Sequence, residues 1–253
     1  MQSTPHPNTS ERSGRSDAGA LWQPAEHNPE SGSTAWSKLH ALRVAESTKP
    51  FLARGHRVKR CTRCLLNPCF CSQRTPAPCE GSDFLLVFHR NELLKPTNTG
   101  RLIADCFPAN TWACTWHRTQ QPPELLTLIN QPQYAPVLVF PGEHNPVIDH
   151  LSSLPSNKRL LLIVLDGTWK QARKIYLQSP WLHALPIVHL QVDTSSQYQL
   201  RQAPGSNQLA TVEAVSQTLA LLQNTQTATA LERYFTTFTQ HYLAMRSNHS
   251  THN

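Results

Sequence analysis

Six consecutive apolar residues, Leu160 to Leu165, stand between Arg159 and Asp166, and this run limits the possible folds more than any other stretch of the chain. So apolar a strand is buried on both faces, as in a parallel sheet covered by helices. A buried helical segment has the same hydropathy, but the shortness of the run and the Gly167 that follows favour a strand. Thr168 and Gln171 have the spacing of a capping box, which predicts a helix from about Trp169 that Pro180 limits. Asp166 is thereby placed on a strand-to-helix turn, where open α/β sheets bind their ligands.

Other segments repeat the pattern. Phe84 to Phe88 and Val137 to Phe140 read as buried strands, and Ile187 to Leu190 as a shorter one. Past the first come His89, Arg90, Asn91 and Glu92, polar groups at a strand exit. The second is broken by Pro141-Gly142-Glu143, a turn that permits close approach to the backbone. Helices are predicted around Trp36 to Val44, after Pro123-Glu124, over Leu209 to Leu222 at spacings of three and four, and along Leu231 to Met245. Leu102 to Phe107 is either strand or helix. The turn Lys95 to Arg101 offers Thr97, Asn98 and Thr99 to a polar ligand, or simply reverses the chain. The expected fold is one α/β domain with a parallel sheet over 50–246. No glycine-rich dinucleotide or P-loop motif occurs, which counts against those nucleotide folds.

Residues 1–34 are rich in Ser, Pro, Asn, Gly and Glu without an apolar period, and are expected to be a disordered tail; 247–253 form a short polar tail. No secretory signal and no run of membrane-span length is visible, so a soluble cytoplasmic protein without membrane partners is expected. The net charge of +7 is uneven: residues 1–49 hold five basic and five acidic side chains, leaving 18 and 11 for the rest. The densest run is Arg54, Arg57, Lys59, Arg60, Arg63 and Arg74, with no carboxylate between Pro50 and Pro78. Such a surface suits a phosphate backbone, although a basic enzyme would also carry it for solubility. Within the run, at 58–74, Cys61, Cys64, Cys69 and Cys71 form C-x2-C-x4-C-x-C. This is a donor set for a tetrahedral structural zinc, with reduced thiols as the alternative.

The set Arg60 to Cys64 with Cys69 and Cys71, His89-x-x-Glu92, Thr97 to Leu102, Phe140-Pro141, Leu165 to Arg173 containing Asp166-Gly-Thr-Trp169, Tyr198 to Arg201 and Leu209-x-Thr-x-Glu-Ala214 resembles the DTW-domain family in order and over most of the chain. The resemblance implies a fold related to the SPOUT RNA methyltransferases, with a trefoil knot. It also implies transfer of the 3-amino-3-carboxypropyl group of S-adenosylmethionine to N3 of a uridine in tRNA, leaving methylthioadenosine. On this likeness Phe140, Pro141, Gly142, Leu165, Gly167, Thr168, Leu209, Thr211 and Glu213 would line the donor pocket. Arg201, Thr211 and Glu213 are suited to its carboxylate and amine. Asp166 is expected as the base for N3 or, alternatively, as a residue that caps the following helix or fixes the turn. Trp169 would stack on a base or be the first buried residue of its helix. His89, Glu92, Asn98, Arg101 and Arg173 are expected to handle the RNA.

Two rivals remain: a SPOUT-type methyltransferase, separable by its product S-adenosylhomocysteine, and a zinc-knuckle RNA-binding protein without activity. Monomer and homodimer are both compatible with the sequence.

Overall fold

A computed structural model describes residues 20–24, 33–48, 58–140, 145–148, 154–155, 157–188 and 209–250, with side chains as far as 246. The strands are β1 (Ser82–Phe88), β2 (Thr111–Thr115), β3 (Tyr134–Val139), β4 (Val147–Ile148), β5 (Arg159–Asp166) and β6 (Ile187–Val188). They form one sheet in the order β2-β1-β5-β3-β6-β4, and every pairing in it is parallel. The helices are α1 (Ala35–Ala45), α2 (Gly100–Cys106), α3 (Pro123–Ile129), α4 (Trp169–Leu177), α5 (Thr211–Leu221) and α6 (Thr225–Ser250).

The apolar run is β5, flanked by β1 and β3. Its residues divide by parity, as a strand's side chains must. Leu161, Ile163 and Leu165 pack with Ile175 of α4 and Leu125 of α3, whereas Leu162 and Val164 join Phe238 of α6, Val215 of α5 and Ile103 of α2. Burial on both faces follows, with one helical layer to each side. Thr168 caps α4: its hydroxyl accepts the Gln171 N–H at 3.3 Å, while Gln171 Oε1 accepts the Thr168 N–H at 2.7 Å. The aromatic stripe of α6 is packing, as expected from its spacing; Tyr234, Phe235, Phe238 and Met245 are buried. Leu102 to Phe107 proves to be helix α2 and its C-cap.

Strand β2 was not anticipated. Thr-Trp-Ala-Cys-Thr is short and broken by hydroxyl residues, yet Thr111 and Thr115 are fully buried. The disordered-tail reading of 1–34 also changes within the described residues. Trp22 pairs with Ala113 through reciprocal hydrogen bonds of 2.8 and 3.0 Å and covers the outer edge of β2, and Thr34 is the buried N-cap of α1. A lone Leu-Trp pair in polar sequence has no period to reveal this contact. Among the described residues no helix is long and apolar enough to cross a membrane.

Candidate active site at the strand exits

The carboxyl ends of β2, β1 and β5 are stitched together by main-chain bonds. Trp116 N–H donates to Phe88 O and His89 N–H to Asp166 O, each at 2.8 Å. Residues just past these strands therefore share one rim.

Asp166 ends β5 with the parity of Leu162 and Val164, so its side chain turns toward α2 and not toward α4. It is 1% exposed. Asn98 Nδ2 donates to both carboxylate oxygens, at 2.8 and 3.1 Å, and Asn98 Oδ1 accepts the Arg101 N–H at 3.0 Å. Gly100 closes the other side, since a Cβ there would lie 1.8 Å from Asp166 Oδ2. The carboxylate is a buried clamp on the entry turn of α2, and the expectation that it takes a substrate proton directly does not fit this placement. Apolar patterning fixes where a strand ends but leaves open which face its last polar residue joins. The helix-capping alternative does not fit either, because the α4 cap is Thr168.

Trp169 is on the other side of the exit and is 42% exposed, so it is not the first core residue of α4. Its ring stacks on that of Phe140, centroids 5.4 Å apart and planes at 29°, and Phe140 in turn contacts Tyr176 at 5.2 Å. An indole held flat by a second ring and open to solvent is a platform for a planar base. Gly167 allows the turn: a Cβ would approach Gln171 Cβ to 2.8 Å. Leu165 is buried in the same core cluster as Phe140, and Arg173 is exposed on α4.

His89, half-buried on the same rim, stacks on Trp116 at 6.4 Å, and Lys174 of α4 lies 5.9 Å from the Trp116 ring centre. Burial is the largest influence holding His89 below the ordinary histidine range; Glu92 opposes it, while Lys174 and Lys95 add to it. Burial thus favours the neutral imidazole. Trp116 carries no sequence signal as a rim residue, because the strand ahead of it has no continuous apolar run.

The remaining expected contacts divide into two groups. Glu92 is fully buried and pairs with Lys95 at 2.5 Å, and Arg101 is 1% exposed; neither offers its side chain to a ligand. Leu209 and Thr211 lie at the start of α5, which packs against α2, β3 and β5. Glu213 there accepts the Ala210 N–H at 2.7 Å, completing its own helix entry. Pro141, Gly142 and Arg201 lie outside the described residues.

The four cysteines converge. Their Sγ atoms all lie within 4.8 Å of one another, with Cys61 to Cys71 at 3.7 Å and Cys64 to Cys69 at 3.8 Å. Four thiolates about 2.3 Å from a tetrahedral zinc would be about 3.8 Å apart, so the donor set has the dimensions of such a site. Arg101 ties this knuckle to the domain: its guanidinium donates to the carbonyls of Cys64 and Pro96 and sits over the rings of Trp36 and Phe238, at 5.6 and 5.3 Å.

Comparison with known proteins adds a family. The family model described as "DTW domain" matches residues 58–243. A Drosophila melanogaster protein named tRNA-uridine aminocarboxypropyltransferase 2 is 33% identical over 101 residues, which is 40% of this chain and 39% of the relative. Proteins of the same name from Macaca fascicularis and Mus musculus are 26% and 24% identical over 64% and 67% of this chain, and over 56% and 58% of their own length. The chain thus spans about two fifths to three fifths of the curated relatives it matches. No solved structure matches.

Proposed function

The chain belongs to the DTW-domain family, and on that premise we propose that it transfers the 3-amino-3-carboxypropyl group of S-adenosylmethionine to N3 of a uridine in tRNA. The observation that carries this reading in the structure is the open Trp169 ring, backed by Phe140, on the rim where the family motif Asp166 to Trp169 lies. N3 attacks the γ-carbon of the donor as the carbon–sulfur bond breaks. The bonding pair leaves with sulfur as methylthioadenosine, and the N3 proton passes to a base. The sulfonium is its own activated leaving group, so the protein's work is alignment and proton removal.

Within this reading Trp169 receives the uracil or adenine face, and neutral His89 is the group on the rim suited to take the proton. Asp166 is a positioning residue: its carbonyl holds the His89 main chain and its carboxylate holds the turn at Asn98. Leu209 and Thr211, at the start of α5, belong to the donor pocket. The SPOUT-like knotted topology belongs to the same reading and is supported by the all-parallel sheet between two helical layers.

Incubation with labelled donor and unmodified tRNA is expected to release methylthioadenosine; S-adenosylhomocysteine in its place would mark methyl transfer. His89→Gln is expected to lower kcat by about 10²–10⁴-fold and to remove the acidic limb of the pH–rate profile. A profile unchanged by the substitution would take the base role away from His89.

We further assign a structural zinc to Cys61, Cys64, Cys69 and Cys71. It would lock the knuckle and supply no reaction step. Metal analysis after purification without chelator is expected to give one zinc per chain. Metal-free protein whose Cys61 and Cys71 alkylate freely would refute the site.

A further inference from the structure

Gly167 to Val192 and Cys106 to Pro123 contain no carboxylate. The fold joins them, for Lys174 of α4 lies over the ring of Trp116, which ends β2. The outer face of α4 presents Lys170, Arg173 and Lys174, all exposed, and leads at its first turn to the open ring of Trp169, while the exposed Arg118 follows two residues after Trp116. Among the described residues, Glu92 pairs with Lys95 and Glu46 with Arg90. A helix face kept only for solubility would mix both signs. This one is of a single sign and ends in an aromatic platform.

Cations spaced along a ridge beside one stacking ring match a polynucleotide with an unpaired base, since phosphates take the charges and the base takes the ring. We propose that the outer face of α4, with Arg118, is the surface that grips the tRNA phosphates on either side of the reacting uridine. This rests on the transfer reading for the identity of the polyanion. It moves the principal RNA contact away from the cysteine knuckle, which packs with the opposite helical layer and beside which Arg74 pairs with Asp105 at 3.1 Å.

The test is titration of unmodified tRNA transcript with the full chain by fluorescence anisotropy, over a range of salt and without donor. K170A/R173A/K174A is expected to bind roughly 10- to 100-fold more weakly at moderate salt, and its slope of log affinity against log salt to be shallower by about two to three. The charge reversal K170E, at one exposed position, is expected to weaken binding in the same direction, and K59A/R63A to change it far less. Unchanged affinity and slope in both α4 variants, with wild type binding normally, would overturn the surface and leave the transfer reading intact. Tight tRNA binding through α4 without any transfer product would do the reverse. A wild type that binds acidic phospholipid vesicles in preference to tRNA would overturn the surface as proposed.

Discussion

Gly100→Ala is expected to destabilise the domain by about 3 kcal/mol or more and to abolish transfer. The added methyl would lie 1.8 Å from Asp166 Oδ2, 2.7 Å from its Cγ and 3.1 Å from a ring carbon of Phe88. None of these can retreat cheaply. Asp166 closes a strand paired on both sides and is held by Asn98, and Phe88 is fully buried. The clash is with one side chain, so the remedy is specific: Gly100→Ala combined with Asp166→Ala is expected to recover much of the lost stability without recovering transfer. Urea unfolding of the three variants measures this. Gly100→Ala with wild-type stability would show that the turn and the carboxylate do not meet as described.

Arg101→Ala is the second large effect, expected at about 3–5 kcal/mol. A buried guanidinium would vanish from between Trp36 and Phe238, leaving a void and two carbonyls, of Cys64 and Pro96, without their donor. Arg101→Lys is expected to rescue little, because an ammonium cannot fork to two carbonyls while lying flat between two rings. Cys64 belongs to the knuckle, so zinc retention under mild chelation should fall along with the unfolding midpoint. Stability and metal content both equal to wild type would show that the knuckle does not depend on this clasp.

These residues show how far sequence reading reached. The central strand, the α4 cap, the aromatic packing of α6 and the convergence of the cysteines were legible, because each follows from a period or spacing that chain geometry enforces. What escaped depends on tertiary facing. Asn98 and Arg101 have the chemistry of ligand-binding residues, and nothing in a linear chain distinguishes an amide that holds a substrate from one that holds a buried aspartate. Trp169 shows the converse, an aromatic at a helix start that was as well suited to the core as to the surface. Strand β2 escaped because its hydroxyl residues are buried, and with it went Trp116 and its contact to Lys174.

The proposed reaction takes place on tRNA. Its most direct test is mass spectrometry of the nucleosides of tRNA incubated with this protein and S-adenosylmethionine. A uridine bearing the 3-amino-3-carboxypropyl group, present with the wild type and missing without it, is the predicted result; tRNA whose uridines are unchanged, or carry only a methyl group, would contradict it.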